Sequence, residues 1–148
     1  MNHIERINSL RQNFARDYDA LLVTNPRNIR YLCGFSGSSG CLLITPVRAV
    51  FFTDFRYQQQ SAIQVGEAAR IVVFTKSLVD SLKKEIKKLK ISRLGIEKSM
   101  SLNAFLAYAE NLKIDLIPTE LLVEELRQYK DIDEMACLKK AFSIADAA

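Results

Sequence analysis

Ile4, Ile7, Leu10 and Phe14 recur at helical spacing behind Asn2, with Glu5 three positions after that asparagine as in a capping box. The chain is therefore predicted to open with an amphipathic helix. Ala20-Leu21-Leu22-Val23 follows without polar alternation, the pattern of a strand covered on both faces. Asn25-Pro26 reads as a cap with proline at the first helical position, starting a helix through Ile29, Tyr31 and Leu32 that must end before Gly34. Two apolar runs, Cys41 to Thr45 and Ala49 to Thr53, are joined by Pro46-Val47-Arg48, a connection too short for a parallel crossover. They predict a hairpin, and hence a mixed sheet.

Further along, Tyr57 to Val65 reads as helix and Arg70 to Thr75 as strand. Leu78, Leu82, Ile86 and Leu89 form one stripe of a helix whose other face, Lys83, Lys84, Lys87 and Lys88, is solvated. A strand at Arg93 to Glu97, a helix from about Ser101 to Leu112 and a strand at Ile114 to Ile117 complete the alternation. The fold class is thus α/β, with a mixed β-sheet of about six strands flanked by helices. After Pro118 the texture changes, because Thr119 to Lys130 and Asp131 to Ala148 hold helix formers with no further strand candidate. Asp131 and Glu134 have capping-box spacing, and Met135, Leu138, Phe142 and Ala145 share one stripe of the helix they would start. That helix meets no stop signal, which predicts a piece cut from a longer protein.

At 148 residues and 49 % apolar content the chain suits one domain with a real core. The net charge of +4 is spread along the chain, and the lysine-rich helix lacks interleaved aromatics, so no nucleic-acid partner is predicted. No apolar run approaches the roughly 18 to 20 residues of a bilayer span, and the N-terminus lacks a signal-sequence pattern. A soluble cytoplasmic protein with no membrane partner is expected. Cys33, Cys41 and Cys137 are odd in number and lack C-x-x-C spacing, which predicts buried or semi-buried free thiols.

Two stretches are candidates for chemistry. The first is Phe35-Ser36-Gly37-Ser38-Ser39-Gly40, small residues between a short helix and a strand, where a backbone can approach a ligand or partner closely. Its glycines, with Gly34, fall every three residues, unlike the dinucleotide fingerprint or the P-loop. A glycine-rich turn needed only for its backbone angles is the plainer alternative. Serine nucleophilicity would need a base, and the only histidine is His3, on a helical turn expected to be exposed. The second stretch places Asp54, Arg56 and Tyr57 at a strand end leading into a helix, where side chains are commonly presented to a cleft. Here Asp54 as a helix cap, paired with Arg56, is the competing account. No H-E-x-x-H or clustered carboxylate and histidine set occurs, so no metal site and no catalytic residue are assigned to this chain.

Asn28 to Gly40 fits N-[IV]-x-Y-L-x-G-F-x-G-S-x-G, and it is followed by Phe52 to Tyr57, by Arg127 to Lys130 and by Glu134 to Asp146. In order and spacing these segments resemble the N-terminal half of creatinase/prolidase-type enzymes, the Xaa-Pro dipeptidases and aminopeptidases, over nearly the whole chain. Cys33 departs from the threonine or serine more frequent there. The resemblance implies a creatinase/prolidase N-terminal domain, ribonuclease H-like, at residues 1–126, then a linker helix and the start of an absent pita-bread catalytic domain at 127–148. It implies two divalent metal ions (Mn, Co or Zn) in that absent domain and none in this chain. The implied partners are the chain's own C-terminal catalytic domain, a second copy in a homodimer, and a proline-containing peptide substrate. Phe35 to Gly40 would be the substrate-access loop, with Asp54, Arg56 and Tyr57 as the second region. A non-catalytic peptide- or protein-binding relative, and a metal-free creatinase-like amidinohydrolase, share the same architecture and stay open at this point.

Overall fold

Asn2 caps the first helix, α1 (His3–Gln12), by accepting the Glu5 N–H at 3.2 Å. β1 (Ala20–Val23) leads to α2 (Pro26–Cys33), which Asn25 caps and Gly34 closes in the left-handed region at φ 78°. The predicted hairpin is β2 (Cys41–Ile44) and β3 (Ala49–Asp54), and a 3-10 turn at Phe55–Tyr57 feeds α3 (Gln58–Gln64). Next come β4 (Arg70–Phe74), α4 (Leu78–Leu89), β5 (Arg93–Glu97), α5 (Leu102–Leu112) and β6 (Asp115–Thr119). Two helices follow, α6 (Leu122–Gln128) and α7 (Ile132–Asp146), the latter opened by the capping box of Asp131 and Glu134. This computed structural model describes residues 2–14 and 16–147; Ala148, where the expected last helix ended, lies outside them.

The six strands form one mixed sheet in the order β4-β3-β2-β1-β5-β6. β2 runs antiparallel to both β1 and β3, whereas β1/β5, β5/β6 and β3/β4 are parallel. Because successive strand residues point to opposite faces, the uninterrupted apolar runs supply two cores. Leu21, Val23, Leu42, Ile44 and Phe51 meet α1, α2 and α6 through Ile7, Leu10, Ile29, Leu32 and Val123. Ala20, Leu22, Leu43 and Phe52 meet α4 and α5 through Leu82, Ile86, Tyr108 and Leu112. The lysines of α4 stand outward and exposed, as its periodicity requires.

Four expectations are corrected. The last strand was expected to stop at Ile117 but runs through Pro118 to Thr119, because β6 is an edge strand, where proline is tolerated. On α1, Ile4 is exposed and Arg6 is buried in the stripe, because Arg6 finds partners on α2 and α7. His3 is half-buried: its Nδ1–H donates to the Tyr31 carbonyl at 3.1 Å, an acceptor near the end of α2 that it shares with Arg6. Cys33 and Cys41 are buried as expected, but Cys137 is exposed, since no residue of α7 is buried.

Candidate functional site

Both stretches singled out in the sequence come together at one end of the β2–β3 hairpin. Their meeting follows from register: Cys41 lies opposite Phe52, so the loop entering β2 runs alongside the residues leaving β3. Phe35 is 1 % exposed and turns inward, its ring 4.6 Å from that of Phe51 and edge-on to Tyr57 at 5.6 Å. It anchors the loop, and the surface is left to Ser36 through Gly40. Glycine is required here for space as well as for angle. A Cβ on Gly37 would lie 2.4 Å from Phe35 Cζ and 2.8 Å from Tyr57, and one on Gly40 would lie 2.5 Å from Phe51 Cζ. Only Gly34 of this segment has a positive φ, so backbone angle alone does not account for the glycines.

Side chains of α3 and its leading turn hold the serines. The Ser36 N–H donates to Gln64 Oε1 at 2.9 Å, and its hydroxyl accepts from Gln64 and Gln60 at 2.9 and 3.1 Å. The Ser38 and Tyr57 hydroxyls are 2.7 Å apart, and Thr53 Oγ1 donates to the Ser39 carbonyl at 2.6 Å. Asp54 does what aspartate commonly does at such a junction: Oδ1 accepts the Arg56 N–H at 3.1 Å. The Arg56 guanidinium also grips it with two parallel bonds, Nε to Oδ1 and Nη2 to Oδ2, each 2.9 Å. Capping and pairing are therefore both made, and they fix the 3-10 turn that presents Tyr57 to the loop.

That grip, aided by the Ser39 hydroxyl, holds the Asp54 carboxyl well below the usual carboxylate range. Arg56 is raised in turn by Asp54, and the Ser38 hydrogen bond lowers Tyr57. Because the folded-state pKa of Asp54 lies below its unfolded value, the stability it contributes is present above the ordinary carboxylate range. It is lost only as pH falls through the lower, folded value. We expect the Asp54 carboxyl carbon to titrate by NMR clearly below the ordinary value of about 3.9. A midpoint at the ordinary value would show that the Arg56 grip is not kept in solution.

A second polar centre was not singled out in the sequence. Glu97 at the end of β5 is buried, and its Oε2 accepts the backbone N–H groups of Thr24 and Asn25 at 2.6 and 2.8 Å. Its Oε1 accepts from Asn28 Nδ2 at 2.7 Å; the same amide donates to Glu124 at 2.7 Å, and its Oδ1 accepts from Arg127 at 3.0 Å. This array ties α2 and α6 to the carboxyl ends of β1 and β5, beside a cavity of about 370 Å³ that Glu97 helps to line. The available signal was an asparagine on the apolar face of α2 between Asn25 and Ile29. Among the described residues no group of three or more His, Cys, Asp or Glu is placed to hold a metal ion. No described helix is long and apolar enough to cross a membrane.

The sequence pattern of creatinase/prolidase N-terminal domains matches residues 6–129. This chain belongs to that family. A creatinase/prolidase N-terminal domain is accordingly expected to resemble part of a longer enzyme, and it does. It is 34 % identical to an uncharacterised peptidase of Bacillus subtilis, YqhT, over 97 % of this chain and 41 % of that protein. The creatinase/prolidase domain described here superposes on a Xaa-Pro dipeptidase of Bacillus anthracis with TM-score 0.94 and 38 % identity, covering 99 % of this chain and 41 % of that one. It also matches the N-terminal domain of the cytoplasmic peptidase PepQ of Mycobacterium tuberculosis at TM-score 0.74 and 29 % identity, covering 82 % of this chain and 98 % of the other. The chain thus spans about two fifths of the curated relative's length.

Proposed function

We propose that this chain is the accessory N-terminal domain of a cytoplasmic Xaa-Pro dipeptidase or aminopeptidase. On this reading residues 1–126 form the domain, and 127–148 are the linker and the start of a C-terminal catalytic domain. The domain serves homodimerisation and shapes access to a dinuclear-metal site in the catalytic domain. One observation supports it above the others: a Xaa-Pro dipeptidase shares this fold along almost the whole chain, and more than half of that enzyme lies outside the match. In the catalytic domain two divalent ions, of manganese, cobalt or zinc, would supply Lewis-acid activation of the scissile carbonyl. The residues described here do not form a ligand set for them, so this half contributes shape and access.

The Ser36–Gly40 loop suits that task. It is polar at the surface, anchored by Phe35 beneath, and braced by Tyr57, Gln60 and Gln64, so it presents a fixed edge to a peptide. The test is to express the uninterrupted coding region alongside this chain and to assay both with manganese on Xaa-Pro dipeptides and longer Xaa-Pro peptides. The long product is expected to hydrolyse them and the short chain to be inactive. Within the long product, Ser38→Trp is expected to lower kcat/KM for tripeptides more than for dipeptides. A long, folded, metal-loaded product without Xaa-Pro hydrolysis would refute the peptidase reading, and an unchanged length preference would refute the access role.

A further inference from the structure

Helix α7 is not positioned by a buried apolar face. None of its residues is buried, and Ile132, Met135, Phe142 and Ile144 are all exposed. It leaves α6 after a short link at Tyr129 and Lys130, both exposed, which on its own leaves its direction free. Its first turn is nevertheless held. Arg6 of α1, 8 % exposed, donates from Nη2 to Asp131 Oδ2 at 2.5 Å and pairs with Glu134 Oε2 at 3.0 Å. From Nη1 it donates to the Tyr31 carbonyl at 3.0 Å, and its guanidinium lies 4.1 Å from the centre of the Tyr31 ring. Tyr31 is itself tied to α6, its hydroxyl 3.4 Å from the Leu126 carbonyl.

We propose that Arg6 is a joint that fixes the direction of α7, locking the short hinge before it so that the helix keeps one orientation to the body of the domain. The two carboxylates that Arg6 holds are also the two members of the α7 capping box, Asp131 accepting from the Glu134 N–H and Glu134 accepting from the Asp131 N–H. Helix start and helix direction are therefore set by the same pair of side chains. Only a planar fork bonds a carbonyl, two carboxylates and an aromatic face together, so lysine does not replace arginine here. Arg6 acts through α7 and is a positioning residue.

Cys137 supplies the probe. It is the exposed thiol of the three, on α7 itself, while Cys33 and Cys41 are buried. Burial also pushes the Cys33 thiol up to about 11 and Cys41 further in the same direction, so neither competes for label. A second nitroxide goes on Val47→Cys, an exposed position in the β2–β3 turn. Pulsed electron–electron resonance then reads the distance distribution between the two labels. The Val47→Cys chain with Arg6 intact is expected to give a single narrow peak, and Arg6→Met in the same background a broad distribution with the circular-dichroism helicity retained. Because Arg6→Met leaves two carboxylates without their partner and risks misfolding, Asp131→Asn/Glu134→Gln is measured as well. Asparagine and glutamine keep the capping chemistry but remove both charges, and this double variant is also expected to lose the narrow peak. A broad distribution with Arg6 intact, a narrow peak in either folded variant, or broadening only with loss of helicity would overturn the joint.

Discussion

Glu97→Ala is expected to destabilise the domain by about 3–5 kcal/mol, because a buried acceptor shared by several neutral donors is removed at once. The carboxylate accepts from two backbone N–H groups, those of Thr24 and Asn25, and from the Asn28 amide. Each donor left without an acceptor costs about 1–3 kcal/mol where water does not reach it. Asn28 has no way to adapt, because its Nδ2 faces two carboxylates and its Oδ1 faces the Arg127 guanidinium, so a flip would set donor against donor. In thermal unfolding the loss corresponds to roughly 10 °C for a chain of this size. Glu97→Gln keeps one oxygen for the backbone pair but turns an amide NH₂ toward Asn28, and is expected to fall between wild type and alanine. A loss in the alanine variant below about 1 kcal/mol would mean that water from the adjoining cavity substitutes for the carboxylate.

Periodicity carried most of the architecture. The run at Ala20 to Val23 reads as a strand with two covered faces, Cys41 to Thr45 and Ala49 to Thr53 read as a hairpin, and the structure places alternate residues of all three in two separate cores. The three-residue link at Pro46 to Arg48 was enough to make the sheet mixed. What the pattern could not carry were bonds between distant residues. Arg6 reads as a polar interruption of a helical stripe until Asp131 is found beside it, 125 positions away. His3 and Asn28 are similar cases, polar side chains whose partners are fixed by topology. The candidate site was legible as two segments and as a family resemblance. Its unity was not, because it depends on the hairpin register that sets Gly40 beside the end of β3. Nor does a loop of serines and glycines announce that Phe35 turns inward and that the glycines make room for rings.

That packing sets the second large effect. Phe35→Ala is expected to cost about 3–5 kcal/mol, as for deletion of a buried aromatic side chain. Phe35 is 1 % exposed and its ring contacts those of both Phe51 and Tyr57, so its removal leaves a cavity directly beneath the loop. Gly37→Ala is expected to cost about 1–3 kcal/mol for the opposite reason, overpacking, because its new methyl would press on the Phe35 and Tyr57 rings at 2.4 and 2.8 Å. The two effects share one volume and are not additive. In Phe35→Ala/Gly37→Ala the methyl meets one ring instead of two, so the combined loss is expected to fall short of the sum by about 0.5–2 kcal/mol, within the range for contacting residues. Urea unfolding of the four proteins measures this coupling, and amide line widths from Ser36 to Gly40 report whether the loop has lost its fixed shape. Strict additivity, or a loop as ordered in Phe35→Ala as in wild type, would show that the hydroxyl and amide bonds from Tyr57, Gln60 and Gln64 hold the loop without the aromatic floor.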